Sequence, residues 1–134
     1  WGFTVENEPL GNGNNWESMH YTPDEMTNFV QHHLGPQLEK THPEVKILGY
    51  DQNREHLKEW IDSQYKNEET SKYFDGTAIH WYASTYEVFP EELQYAYNKA
   101  PNKLVFSILL QIQSWVLFLI IQNQFGEEED NMCF

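Results

Sequence analysis

The sequence is poor in cysteine and in positive charge, and both shortages narrow the range of functions. Cys133 is the single cysteine, so the 134 residues contain no internal disulfide. Lysine and arginine together number 8 against 21 aspartates and glutamates, which gives a formal net charge of −13. Since no basic stripe is present to neutralise phosphates, we expect no nucleic-acid partner. The same balance disfavours docking on anionic lipid through a basic patch.

A phosphate-binding loop and a metal-ligand pattern are also missing. The Gly/Asn-rich segment at residues 11–15 lacks the third glycine and the strand–turn–helix setting of a dinucleotide fingerprint. Six histidines are present, but His32 and His33 are adjacent and no HxxxH spacing occurs. The sequence therefore predicts neither a dinucleotide site nor a metal site.

The chain begins at Trp1 without a methionine, and its first residues have the pattern of a strand inside a domain. No charged segment followed by an apolar segment marks a signal peptide. We therefore expect the native N-terminus to lie upstream of Trp1.

Strand patterns alternate with helical patterns along the first hundred residues. Strands are predicted at residues 1–6, 45–50 and 76–82, and a fourth is predicted to begin at 103–107. Residues 10–19 are typical of a loop. A helix is predicted to begin at Pro23 after an N-cap at Thr22, with Glu25 closing a capping box and an interruption near Gly35–Pro36. Further helices are predicted around 57–65 and from Pro90.

This order implies an α/β fold with parallel strands joined by right-handed crossovers. An open doubly wound sheet and part of a (β/α)8 TIM barrel both satisfy it. Glu8, Asp51 and His80 fall at or near the ends of predicted strands, where both folds place their ligand sites. The missing phosphate loop favours the barrel, which typically needs about 250 residues, so we expect a partial barrel.

The stretch TVENEP contains two glutamates two positions apart. On one strand, Glu6 and Glu8 are predicted to share a face roughly 6.5–7 Å apart. By distance alone, this spacing would suit the carboxylate pair of an inverting glycosidase. Two carboxylates on one strand cannot flank a glycosidic bond from opposite sides, however, so they are not predicted to be a catalytic pair. Because Pro9 disfavours the α region for the residue before it, Glu8 is expected to stay extended and to point beyond the strand end. Glu6 is expected to be a structural carboxylate held by hydrogen bonds or by a buried cation.

Several stretches of the chain stand in a recognisable order over about residues 1–103. They are WGFTVENEP, YTPDEMTNFVQHHLGPQLE, VKILGYDQNRE with LKEW, SKYFDGTAIHWYAS and NKAPNK. Together they resemble the glucosylceramidases, acid β-glucosidases of glycoside hydrolase family thirty. The resemblance implies a partial TIM barrel containing about strands 4 to 7. It also implies a retaining hydrolase that cuts glucosylceramide to glucose and ceramide in sphingolipid metabolism, without metal or organic cofactor.

The resemblance implies a role for each matching residue. Glu8 matches the general acid/base, and Asn7 matches the asparagine that hydrogen-bonds the sugar 2-hydroxyl. His80 and Tyr82 match pocket residues at the end of the sixth barrel strand. Trp81 belongs to the same motif, where substrate binding and barrel packing are both open.

Asp51 and Arg54 match the segment after the fifth barrel strand, where a structural ion pair is the alternative to a role in the site. The implied substrate is glucosylceramide or another β-glucoside, and a lipid presented at a membrane surface fits it. The implied location is lysosomal or secreted. The sequence does not indicate an oligomeric state.

The remaining segment, residues 104–134, does not resemble the family and is expected to be a divergent tail, apolar and then acidic. No Asp or Glu occurs between Glu92 and Glu127, so the nucleophile expected after the seventh strand is missing and the chain is predicted to be inactive. As the origin of this segment, we favour translation in a shifted reading frame, a retained intron or an alternative exon. A membrane span over 104–121 and an interaction helix remain the other interpretations. Residues 127–130 are expected to be solvated.

Two other functions remain open at this point. A related glycosidase of the same clan could act on another β-linked sugar, such as a xylan or a β-1,6-glucan. Alternatively, the chain could be a non-catalytic product that binds a lipid or a protein partner.

Overall fold

The computed structural model describes residues 1–11, 18–82, 88–111 and 115–121, with the backbone alone for 108–111 and 115–121. The strands are β1 (Gly2–Thr4), β2 (Lys46–Asn53), β3 (Gly76–His80), β4 (Leu104–Gln111) and β5 (Trp115–Ile121). The helices are α1 (Pro23–Phe29), α2 (Gly35–Thr41), α3 (Leu57–Gln64), α4 (Glu68–Ser71) and α5 (Pro90–Lys99). A π-helical segment (Val30–Leu34) joins α1 to α2, and a 3₁₀ turn (Arg54–His56) precedes α3.

The strands form one sheet in the order β1-β2-β3-β4-β5. The first four strands are parallel, with Thr4 beside Leu48 and Ala78 beside Phe106, whereas β5 runs antiparallel to β4. Helices separate the parallel strands along the chain, so the predicted α/β class is confirmed. Because the four strands are parallel, their carboxyl ends lie at the same edge of the sheet.

The first helix begins as the sequence predicts. The Thr22 hydroxyl accepts from the Glu25 N–H, and the Glu25 carboxylate accepts from the Thr22 N–H at 2.8 Å, which completes the capping box. The predicted interruption takes the form of the π-helical segment, in which the Gly35 N–H donates to the Val30 carbonyl. Pro36 follows directly and lacks the N–H that a regular helix would use.

The sheet has a helix-facing side and an inner side, and each carries its own apolar cluster. The helix-facing cluster is the larger and has Trp60 of α3 fully buried at its centre. Its other buried members are Met26, Val30, Ile47, Tyr50, Leu57, Ile61, Tyr65, Phe74, Ile79 and Ala96. Leu48, Ala78 and Phe106 form the inner cluster, and the Trp1 ring lies 4.9 Å from that of Phe106. The alternation between the two sides follows the pleat of the strands.

The predicted segment boundaries change in four places. The first strand ends at Thr4 rather than at residue 6, β2 continues to Asn53, and β3 ends at His80 rather than at residue 82. The fourth strand continues to Gln111, and its first part, from Leu104 to Ile108, pairs in parallel with β3. Among the described residues, no helix has the length and apolar character needed to cross a bilayer. The predictions for residues 12–17, 112–114 and 122–134 lie outside the described part of the chain.

Gly49 lets α3 approach β2 directly below the functional end of the sheet. A Cβ atom at this position would lie 1.8 Å from Nε2 of Gln64 and 3.0 Å from the Phe74 ring. Gln64 is fully buried, and its amide oxygen accepts from the Thr77 hydroxyl at 3.0 Å. The close approach of helix and sheet therefore depends on the missing side chain.

We expect Gly49→Ala to lower the free energy of unfolding by about 1–3 kcal/mol, because the methyl group overpacks this contact. Urea denaturation of the purified chain measures the loss. The matched control is Gly49→Ala combined with Gln64→Ala, which removes the colliding amide. The two losses should then be less than additive, and strict additivity would contradict a clash with Gln64.

Candidate active site

Three side chains from three different strand ends meet at the carboxyl edge of the sheet. Nδ1 of His80, at the end of β3, lies 3.3 Å from Oε1 of Glu8, in the turn after β1. Nε2 of the same ring lies 2.9 Å from Oδ1 of Asp51 on β2. The His80 imidazole thus lies between two carboxylates. We call the site formed by Glu8, Asp51, His80 and Tyr82 the mouth.

Glu8 reaches the mouth through a left-handed backbone conformation, with a φ of 53°. Its N–H donates to the Asp51 carbonyl at 2.9 Å, and its own carbonyl accepts from the Gly11 N–H at 2.8 Å. The expectation that Glu8 is extended is therefore wrong. Pro9 does keep it out of the right-handed α region, but the hydrogen bond to Asp51 selects the left-handed alternative.

Glu6 does not share a strand face with Glu8, because both glutamates follow the end of β1. The Glu6 carboxylate accepts from the Met19 N–H at 2.8 Å and so holds the chain before α1. The predicted spacing along one strand does not apply. The two carboxylates have different partners, and only that of Glu8 touches His80.

Asp51 enters the mouth because β2 contains a bulge. Tyr50 and Asp51 have φ angles of 68° and 60°, and the pairing with β3 shifts register between Tyr50 and Gln52. Gly49 faces α3, so strict alternation would turn Asp51 toward the helices as well. The bulge reverses the alternation: the Tyr50 ring packs 5.4 Å from that of Trp60, and the Asp51 carboxylate meets His80. A left-handed residue other than glycine costs on the order of 1–3 kcal/mol.

The pKa of His80 reflects its burial and its two acidic partners. Its side chain is 4% exposed, and this burial alone would lower the pKa. The hydrogen bond to Asp51, the charge of Asp51 and the charge of Glu8 outweigh burial and raise the pKa above its usual value. The shift favours an imidazolium that donates to both carboxylates.

Two aromatic residues follow His80 at the mouth. The Tyr82 ring lies 5.3 Å from the His80 ring in an edge-on arrangement, and the Trp81 ring lies 5.6 Å from that of Tyr82. Partial burial raises the pKa of Tyr82, and the charges of Glu8 and Asp51 add to the effect. Trp81 and Tyr82 are 37% and 41% exposed, so both rings offer an apolar face to a ligand.

The remaining predicted positions lie close to the mouth or beside it. Asn7 directly precedes Glu8 and is exposed. Arg54 donates to the Val88 carbonyl at 3.2 Å, whereas Asp51 bonds to His80, so each has a partner other than the one in the alternative ion pair. The contact between Asp51 and His80 is the feature that sequence reasoning missed. The signal for it in the sequence is the position of Asp51 directly after the apolar run at residues 45–50.

The arrangement suits proton transfer to or from a group bound at the mouth. The Glu8 side chain is 12% exposed, so its carboxyl group is held by His80 and still has some access to solvent. A carboxyl group that is positioned in this way can act as a general acid or base. Among the described residues, no group of three or more His, Cys, Asp or Glu side chains could hold a metal ion.

Comparison with protein families gives one match that covers most of the chain. Residues 1–113 match the model of the glycosyl hydrolase family 30 TIM-barrel domain. The match therefore extends beyond residue 103 and includes β4. Together with the parallel sheet, it confirms the predicted partial TIM barrel.

Two curated proteins are similar in sequence. Putative glucosylceramidase 3 of Caenorhabditis elegans is 36% identical over 91 residues, which cover 64% of this chain and 17% of that protein. Lysosomal acid glucosylceramidase of Mus musculus is 28% identical over 129 residues, which cover 86% of this chain and 25% of that protein. These matches confirm the resemblance to glucosylceramidases, and the chain spans a quarter or less of either relative.

Two solved structures share the fold. SrfJ from Salmonella typhimurium is 28% identical with a TM-score of 0.68, over 78% of this chain and 23% of that one. The endo-β1,6-glucanase BT3312 is 28% identical with a TM-score of 0.67, over 85% of this chain and 25% of that one. The described sheet thus corresponds to part of a larger barrel in both.

The raised pKa of His80 predicts a pH-dependent contribution to stability. A group with a higher pKa in the folded state stabilises the fold fully below its unfolded pKa, about 6.5 for histidine, and loses this effect as the pH rises through the folded pKa. We expect the stability difference between the chain and His80→Gln to be largest below about pH 6.5 and to shrink at higher pH. Urea midpoints across this range measure it, and a difference that grows with pH would contradict the raised pKa.

Proposed function

Because the chain belongs to glycosyl hydrolase family 30, we propose that it carries the acid/base half of a retaining β-glycosidase site. Glu8 is the general acid/base: it protonates the departing glycosidic oxygen and afterwards accepts a proton from water. The observation that carries the proposal is the 3.3 Å contact between the Glu8 carboxylate and His80 at the carboxyl edge of the parallel strands. Active sites of TIM-barrel enzymes lie at this edge.

The neighbouring side chains would bind the sugar. Asn7 hydrogen-bonds the 2-hydroxyl, a contact that strengthens as the oxocarbenium-like transition state forms. His80 and Tyr82 line the pocket beside Glu8, and the exposed faces of Trp81 and Tyr82 form an apolar platform for the sugar ring. The exposure of both rings supports substrate binding for Trp81 over a packing role.

The stretch that would supply the second carboxyl group of a retaining site contains no Asp or Glu, and we propose that this group is missing. A retaining enzyme needs its nucleophile about 5–5.5 Å from the acid/base. In the register of β3 and β4, His80 lies beside Ile108, so the mouth end of β4 runs from Ile108 to Gln111. This stretch contains no carboxylate, and none occurs between Glu92 and Glu127. The chain as it stands is therefore inactive in our proposal.

The proposed substrate of the complete site is glucosylceramide, cut to glucose and ceramide. The names of the mouse and worm relatives support this choice. Such a lipid is presented at a membrane surface, and the mouse relative's name supports a lysosomal setting. No cofactor takes part in the proposed reaction, because the proton and the nucleophile both come from carboxyl groups.

Another β-linked sugar is the second candidate substrate. The endo-β1,6-glucanase BT3312 is as similar in sequence to this chain as the mouse relative, at 28% identity. A β-1,6-glucan therefore belongs in the same assay as a β-glucosyl lipid. A non-catalytic lipid-binding or protein-binding product is the third candidate, supported by the missing carboxylate. Co-fractionation with membranes without any sugar binding would favour it.

The test is hydrolysis of an alkyl β-glucoside, whose leaving group requires protonation, by the purified chain with and without added formate. We expect no turnover in buffer alone, because no nucleophile is encoded. Formate can attack the anomeric carbon in its place while Glu8 protonates the departing oxygen. Since general acid catalysis typically contributes about 10²–10⁴-fold, Glu8→Gln should lower the formate-dependent rate by at least about 100-fold.

Glu6→Gln is the matched control, since it removes a neighbouring carboxylate that bonds to the Met19 N–H rather than to His80. It should retain the formate-dependent rate. Turnover without formate that disappears in Glu8→Gln would show that the chain is active, against our proposal. Equal formate-dependent rates in Glu8→Gln and the unsubstituted chain would exclude Glu8 as the acid.

A further inference from the structure

We propose that Asp51 is a positioning residue, which fixes the tautomer and orientation of His80. It thereby determines whether the Nδ1 atom that faces Glu8 carries a proton or a lone pair. The relevance of this arrangement to catalysis rests on the proposed role of Glu8. The hydrogen bond between Asp51 and His80 is a separate feature, which can be tested without any turnover.

The two contacts of His80 are unequal, and their difference supports this assignment. Asp51 is 2.9 Å from Nε2, and its side chain is 5% exposed. Glu8 is 3.3 Å from Nδ1, and its side chain is 12% exposed. An ionised carboxylate only accepts hydrogen bonds, so the shorter and more buried contact requires the proton on Nε2.

Asp51 thereby excludes one of the two neutral tautomers. With the proton on Nδ1, the lone pair of Nε2 would face the Asp51 carboxylate in a buried site. With the proton on Nε2, the lone pair of Nδ1 faces Glu8 and can accept a hydrogen bond from its protonated carboxyl group. When His80 is an imidazolium, Nδ1–H instead donates to the Glu8 carboxylate. His80 can therefore support both forms that an acid/base carboxyl group adopts.

The backbone conformation around Asp51 brings its carboxylate into contact with His80. Tyr50 and Asp51 both occupy the left-handed region, and the bulge they form carries the Asp51 carboxylate from the helix side to the mouth. Strain of this kind persists where the surrounding structure imposes it, and it concentrates at functional sites. Among the described residues, the titratable groups that contact His80 are Glu8, Asp51 and Tyr82.

The test is nitrogen NMR of the full chain labelled with ¹⁵N-histidine, in which His80→Gln identifies the His80 signals among the six histidines. Above the pKa of His80, we expect a pyrrole-type Nε2 and a pyridine-type Nδ1. Asp51→Asn should mix the two tautomers and lower the titration midpoint of His80 by at least about one pH unit, because the neighbouring negative charge is lost.

Asp62→Asn is the matched control, since Asp62 bonds to Tyr95 and Lys99 on the helix layer. It should leave both the tautomer and the midpoint of His80 unchanged. A wild-type His80 that carries its neutral proton on Nδ1, or an Asp51→Asn variant with unchanged signals, overturns the proposal. If Asp51→Asn does not fold, the tautomer of His80 in the unsubstituted chain still tests the proposal, because a neutral proton on Nδ1 would overturn it. Failure of the formate assay would count against Glu8 as the acid without changing these signals.

Discussion

The buried imidazole of His80, bonded on both sides to carboxylates, is the interaction on which the mouth depends. Its partners come from different parts of the chain, Glu8 from the turn after β1 and Asp51 from β2. Burial disfavours a charged ring, but two nearby acidic groups compensate, and the pKa of His80 rises. The ring therefore links side chains from three adjacent strand ends, whose orientation the backbone hydrogen bonds of the sheet alone would not fix.

This link requires support from the layers below it. Glu8, Tyr50 and Asp51 all adopt left-handed conformations, which unsupported residues would leave. The hydrogen bond from the Glu8 N–H to the Asp51 carbonyl ties two of them together. The third, Tyr50, is fixed by its packing on the buried ring of Trp60. The geometry of the mouth thus depends on the packing of α3 against β2.

The sequence carries the local features of this fold well and the long-range ones poorly. The capping box at Thr22 and Glu25 and the apolar runs of β2 and β3 depend on near neighbours, and both could be predicted. Glu8 could not be placed correctly, because its conformation is selected by the Asp51 carbonyl, which is distant in sequence. The bulge at Asp51 has the same origin. The motif resemblance predicted that Glu8 and His80 belong to one site, but it did not indicate how they connect.

The pairing at the β4 edge of the sheet limits whether further strands can complete the barrel around the mouth. In a (β/α)8 barrel, each strand pairs in parallel with the next, so the outer edge of the seventh strand receives the eighth. Here that edge of β4 is paired with β5 in the antiparallel direction, from Val105 beside Ile121 to Gln111 beside Trp115. A parallel strand cannot use the same backbone groups while β5 remains. Closure of the barrel at this edge therefore requires β5 to dissociate, and within the described part of the chain the carboxylates that contact His80 at the mouth are those of Glu8 and Asp51.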